Sequence, residues 1–296
     1  MRGYDSAWCG RFPALFASLA SLCHVRGQEP PPAALNNTDM THTSPPPIAL
    51  QIYSVRDDAA RDLAAVLEAV ARMGYVGVEF AGFYGNDAPT VKRLLDANNL
   101  QVAGAHVGIE ALLGDELEKT VAFHREIGNR FLIVPGLPPS YRDSLDAWHG
   151  TAQLLSDIST RLAPHGMRTG YHNHTVEFAP MNAGESLPWD AFFGTADPRV
   201  VMQFDTGNAL HGGKDALPFL QAYPGRAATV HLKEYAAANP DALLGEGDVP
   251  FKAILAELAR QNATEWLIVE QESGAYPPME CVERSLRNLE VILEQA

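Results

Sequence analysis

The chain has 296 residues, 46% of them hydrophobic and 20% charged, and its formal net charge is −14. Such a composition permits a large buried core. The acidity repels phosphate backbones, so nucleic acid is not an expected partner, and plain solubility accounts for the same charge.

The first 47 residues differ from the rest. Arg2 and Arg11 precede a short apolar run at 12–25, followed by a stretch rich in Pro, Asn and Thr. The run is too short to span a bilayer. It reads either as the core of a signal peptide or as sequence upstream of a start at Met40. The poorly formed cleavage site favours Met40, and with it a cytoplasmic protein; a real signal peptide within residues 1–30 would mean export. The expectation is a disordered extension over 1–47 and a single domain over 48–296. Cys9, Cys23 and Cys281 show neither metal spacing nor a disulfide framework, which points to a reducing compartment.

From residue 48 a short apolar run alternates with a longer amphipathic stretch. The predicted strands cover 48–53, 75–80, 100–106, 130–135, 167–174, 199–205, 228–234 and 266–272. Predicted helices lie between them, for example over 59–74 and 114–128, and a last one over 279–296 closes the chain. Gly74, Gly128 and Gly166 stand where such helices stop. Alternation of this kind implies parallel strands joined by right-handed crossovers. Eight units in this length fit a closed α/β barrel, the (β/α)8 or TIM barrel. An open doubly wound sheet usually carries a glycine-rich phosphate loop after its first strand, whereas this chain runs into YSVRDDAARDL.

Side chains alternate faces along a strand, and in a barrel the helix-facing set must be apolar. Ile48, Leu50 and Ile52 share one face, leaving Gln51 and Tyr53 on the other. Val76, Val78 and Phe80 turn Glu79 inward; Val200, Met202 and Phe204 turn Gln203 and Asp205 inward. Val230 and Leu232 do the same for His231 and Lys233, and Leu267 and Val269 for Glu270 and Glu272. The fifth strand puts His172 and His174 on one face, while the third offers no contrast except its terminal His106. Glu272 falls beyond its strand, where water solvates it. Ionisable groups aimed into a barrel cost several kcal/mol unless paired or metal-bound.

Asp205, His231 and Glu270 end three consecutive strands, a donor set suited to Mn2+, Mg2+, Co2+ or Zn2+. A single inward histidine is more often a satisfied core residue, and a strand-end aspartate is often a helix cap. Asp205 precedes Thr206-Gly207, so capping stays open. The pattern over several strands carries the metal reading.

The segments LQIYSVRD, GYVGVEFAG, GYHNHTVEF, QFDTGNAL, VHLKEY, LGEGDVPF and WLIVEQE succeed one another across residues 48–294. In order and spacing they resemble the xylose isomerase-like barrels, the family of sugar phosphate isomerases and epimerases. Its branches include tagatose epimerases, inosose dehydratase and, more distantly, endonuclease IV. The resemblance implies metal ligation by Asp205, His231 and Glu270. Family epimerases add a glutamate from strand five; here His172 stands there and is the expected fourth ligand, with Glu177 placed to reach back. His172 aligns the chain more with the dehydratase branch, and Asn208 stands where some members carry a histidine near the substrate.

The resulting expectations are as follows. Glu270 or Glu177 removes a proton from carbon, and Lys233 stabilises an enolate oxygen. Glu79, His106, His174 and Asn208 bind substrate. The partner is a small sugar or polyol, with no nucleic acid and no membrane; a homo-oligomer is expected by analogy alone. Isomerisation or epimerisation leads, elimination from a keto-polyol is the alternative, and DNA repair or a non-catalytic barrel come after.

Overall fold

A computed structural model of the protein describes residues 45–295. Most of the expected extension, and the choice between a signal peptide and a start at Met40, therefore lie outside the described residues. The order of elements is β1 (Ile48–Gln51), α1 (Arg56–Met73), β2 (Gly77–Ala81), α2 (Ala88–Ala97), β3 (Gln101–His106), α3 (Glu116–Glu126), β4 (Phe131–Val134), α4 (Leu145–Leu162), β5 (Arg168–His172) and α5 (Pro188–Thr195). It continues with β6 (Val201–Asp205), α6 (Thr206–His211), α7 (Ala216–Ala222), β7 (Thr229–Lys233), α8 (Phe251–Gln261), β8 (Trp266–Glu270) and α9 (Pro278–Leu293). The eight strands are parallel and close into a barrel in chain order, β8 pairing with β1. This is the TIM barrel that the alternation of elements predicts.

Two apolar layers hold it together. Leu50, Val78, Phe80, Met202, Phe204, Val230, Leu232, Leu267 and Val269 face the helices and are fully or almost fully buried. A second, smaller cluster fills the N-terminal half of the barrel, with Phe131, Ile133, Val201, Trp266 and Ile268 as its large members. Burying a side chain of this size contributes roughly 1.5–3 kcal/mol. Small residues sit opposite the large ones: a Cβ on Gly77 would lie 2.9 Å from the Trp266 ring, and one on Gly170 would lie 2.7 Å from the Val201 Cβ. The interior is thus apolar at the bottom, and the polar inward residues are left to the C-terminal half.

Helix ends obey local chemistry. Asp87 and Ser144 accept from Thr90 N and Ala147 N and cap α2 and α4. Gly74 (φ 107°) and Gly166 (φ 68°) make the left-handed turns that end α1 and the short turn after α4.

Two expectations need correction. β1 ends at Gln51, because the Gln51 side chain accepts from Tyr53 N (3.0 Å) and starts a 3-10 turn over Ile52–Val55. Tyr53 therefore leaves the inward face and is 41% exposed. Val76 precedes β2 and is also 41% exposed, so it does not join the helix-facing layer. The third strand shows no clean alternation because its pairing with β2 slips between Val78 and Glu79. Val78 faces Val102 and Glu79 faces Gly104, which leaves Ala103 as an extra residue. The slip brings Gly104 against Glu79, where a Cβ would come within 2.5 Å of Glu79 Oε1. Only glycine leaves room there for the carboxylate.

Candidate metal centre at the barrel mouth

The site is built in two tiers on the C-terminal half of the barrel. The lower tier centres on Glu79, which is fully buried. Its Oε2 accepts from Gln51 Nε2 (2.8 Å) and lies 2.5 Å from His231 Nε2; its Oε1 accepts from Gln203 Nε2 (2.7 Å). Because the Gln203 amide nitrogen also donates to Thr229 Oγ1 (3.0 Å), its carbonyl oxygen must face the other way. There it accepts from His106 Nε2 (2.7 Å) and His172 Nδ1 (3.1 Å). Gln203 thus fixes the His172 tautomer: Nδ1 carries the hydrogen, and Nε2 presents a lone pair upward.

The upper tier consists of His172, Asp205, His231 and Glu270. One donor atom from each lies within 4.8 Å of all the others. His231 Nδ1 is 2.6 Å from Glu270 Oε2 and 3.9 Å from Asp205 Oδ2, and His172 Nε2 is 4.0 Å from Asp205 Oδ2. Asp205 divides its work. Oδ1 accepts from Asn208 N (2.6 Å) and caps α6, while Oδ2 is buried without a hydrogen-bond partner. Asn173 grips the Asp205 backbone on both sides, accepting from its N–H (2.8 Å) and donating to its carbonyl (3.0 Å).

The electrostatics favour a cation. Burial pushes the Asp205 carboxyl up to about 7; Lys233 works against that shift and Glu270 with it. Burial, with His231 and His106 nearby, pushes the His172 imidazole well below its usual value, so it is neutral. Burial also opposes charge on His231, but Glu79 and Glu270 prevail and hold it up to about 10. A divalent ion among these four residues would satisfy the orphaned Asp205 Oδ2 and would replace the proton between His231 Nδ1 and Glu270. Ligands about 2.1 Å from one ion stand roughly 3–4 Å apart. His231 Nδ1 and His172 Nε2 lie 3.9 and 4.0 Å from Asp205 Oδ2, while His231 Nδ1 and Glu270 Oε2, at 2.6 Å, would part slightly to admit an ion. His231 would then keep its Nε2 hydrogen for Glu79, placed as an outer carboxylate that could orient it as a ligand. His106, His172 and His231 also lie within one ion's reach of each other, but His106 Nε2 is already committed to Gln203. The four-residue set is the better fit.

Beside this set, Lys233 Nζ donates to Glu270 Oε1 (3.1 Å) and pairs with Glu272. Burial alone would lower the Lys233 ammonium; Glu270, Asp205 and Glu272 overcome it and keep the charge fixed. Glu272 is therefore paired, not merely solvated.

Other expected site residues are placed differently. Glu177 does not reach back to the cluster: it is buried, with Oε1 accepting from Tyr171 Oη (2.5 Å) and Oε2 from His174 N (2.8 Å). Tyr171 belongs to the helix-facing layer, so Glu177 points out of the barrel and closes the loop after β5. Glu79, surrounded by three donors, has no face left for a substrate hydroxyl. His106 lies in the same lower tier, with its side chain 10% exposed. Asn208 is spent on structure, its Nδ2 donating to Asn173 O (3.1 Å). His174 is exposed at the mouth, its ring 5.1 Å from that of His172. Gln51, Asn173 and Gln203 shape the site although no chemical role is legible for them in sequence; inward parity marks Gln51 and Gln203, and nothing marks Asn173.

Comparison with known proteins gives a consistent picture. An inosose dehydratase from Clostridium botulinum is 24% identical over 241 residues, covering 69% of this chain and 80% of that protein. The rhizopine catabolism protein MocC of Rhizobium meliloti is 24% identical over 246 residues, covering 71% and 74%. A sugar phosphate isomerase/epimerase structure from Parabacteroides distasonis superposes with a TM-score of 0.73 at 22% identity, covering 84% of this chain and 97% of that one. Residues 67–292 match the family described as xylose isomerase-like TIM barrel, and the chain belongs to that family.

Proposed function

We propose that this protein is a divalent-metal-dependent enzyme that removes a proton beside a carbonyl group of a small sugar or polyol. The observation that carries the reading is the buried, unpartnered Asp205 Oδ2 among His172, His231 and Glu270. When bound, the cation supplies Lewis-acid polarisation of a hydroxyl and a neighbouring carbonyl. Asp205, His231, Glu270 and His172 hold it, Glu79 and Gln203 orient the two imidazoles, and Lys233 offers a fixed positive charge to the oxygen on which charge develops. Two imidazoles and two carboxylates suit Mn2+, Co2+ or Zn2+ better than Mg2+, which prefers an all-oxygen shell.

Loss of water from a keto-polyol is the outcome we favour. An epimerase returns the proton from a second basic group, and at the end of strand five this chain has His172, a neutral residue held as a ligand. The likeness to inosose dehydratases supports this reading. Isomerisation or epimerisation is the second reading, supported by the shared fold of the sugar phosphate isomerase/epimerase. The net charge of −14 supports a small substrate over nucleic acid.

The test uses the full chain with each metal and a panel of keto-inositols and keto-sugars in D2O, followed by mass spectrometry. Loss of one water supports elimination. Solvent deuterium on carbon without water loss supports isomerisation or epimerisation. Neither signal with any metal and substrate would sink both readings.

A further inference from the structure

The proton acceptor is unassigned in the site as described, and the available carboxylates narrow quickly. Asp205 is spent on the α6 cap and the cation position, and Glu270 on His231 and Lys233. Glu79 lies under His231, and Glu177 faces Tyr171. Glu234 is enclosed by the backbone N–H groups of Tyr235 (2.9 Å), Gly245 (2.8 Å) and Val249 (3.1 Å). Among Glu79, Glu177, Asp205, Glu234, Glu270 and Glu272, the last differs. Its side chain is 37% exposed, it pairs with the Lys233 ammonium, and that ammonium reaches Glu270 Oε1 at 3.1 Å.

The geometry points to Glu272 as the catalytic base, with Lys233 holding it one ammonium away from the metal-binding carboxylate. The inference rests on the proposed proton abstraction and names the group that performs it. The C–H bond beside the carbonyl breaks, its proton passes to a Glu272 carboxylate oxygen, and its electron pair moves into the new C=C bond as charge collects on the carbonyl oxygen beside Lys233. In the elimination, a C–O bond on the next carbon then breaks; the hydroxyl leaves with a proton as water, and Glu272 is the proton's source. In the isomerisation, Glu272 returns the proton to the neighbouring carbonyl carbon, while the hydroxyl proton of the deprotonated carbon passes to the former carbonyl oxygen and the carbonyl re-forms one carbon along. Either way the carboxylate ends as it began. A two-residue step past the strand end thus takes over the role that a strand-five glutamate would otherwise fill.

Glu272→Gln keeps an oxygen for Lys233 but cannot accept a proton. With the wild type exchanging or dehydrating a substrate, this variant is expected to lose about 10²–10⁴-fold in solvent-deuterium exchange and in kcat. Its Mn2+ affinity by calorimetry and its melting temperature stay at wild-type values. Glu272→Ala is expected to regain activity with added formate, which a residue that only positions Lys233 would not show. Retained exchange in Glu272→Gln, or a metal affinity that falls in step with activity, overturns the assignment while leaving the metal enzyme standing. No exchange in the wild type on any substrate overturns the proposed function, and the assignment with it.

Discussion

The two ends of the barrel both carry charge, but they use it differently. At the bottom, Arg130 and Arg168 share Glu265 and lie over the Phe131 ring, each guanidinium 5.5 Å from its centroid. All three side chains are partly exposed, at 60%, 34% and 36%, so water screens them and the cluster is a rim. At the mouth the charges are buried, their counter-charges lie in fixed positions, and one carboxylate oxygen has no partner at all. The rim charges are exposed and paired, whereas the Asp205 carboxylate is buried and left one partner short.

Asp205→Asn attacks the buried end at its open atom. It retains an oxygen for the α6 cap but loses the ionic donor, so kcat is expected to fall at least ~10³-fold. Added Mn2+, which should raise the wild-type melting temperature, should leave this variant's unchanged in a thermal shift assay. A preserved metal-induced shift would place the ion elsewhere.

His124 provides a control, a buried histidine with no share in the site. Its Nδ1 accepts from Asn129 Nδ2 (2.9 Å), and burial lowers its pKa to about 4. The unfolded chain, near 6.5, binds more protons between those values, so stability is present above pH 6.5 and is lost as pH falls towards 4. The expected loss is about 3 kcal/mol across that window, read from denaturant midpoints of the metal-free chain. His124→Gln should flatten the slope without moving metal affinity.

Glu79→Gln tests the lower tier. It leaves all four proposed ligands but withdraws the carboxylate behind His231, and Mn2+ affinity is expected to drop ~10–100-fold by calorimetry. An unchanged affinity would mean that His231 needs no such support. The smallest effect belongs to the exposed rim. Glu265→Gln leaves two arginines side by side and should cost about 1 kcal/mol of stability, with metal binding and turnover intact.

The barrel was legible because each of its elements buries a stripe with its own period. The eight apolar runs, the glycine stops and the parity of β6, β7 and β8 each follow from local sequence, and that parity alone turned Asp205, His231 and Glu270 inward. What was illegible depends on neighbours far along the chain. Glu79 meets His231 across 152 positions and Gln203 across 124, so no reading of β2 alone reveals that its carboxylate is fully engaged. Glu177 turns outward because the Tyr171 hydroxyl sits behind it, a contact set by loop conformation after the strand has ended. The slip between β2 and β3 has no sequence mark except Gly104, whose meaning appears only with Glu79 in front of it.

The split duty of Asp205 gives the barrel a built-in strain gauge. One oxygen anchors the first turn of α6 and the other is the proposed ligand, so loading the centre would immobilise the residue on which that helix begins. The amides of Thr206 to His211 should then exchange with deuterated solvent more slowly once the ion is in place. Occupancy would be readable from a helix without following any chemistry.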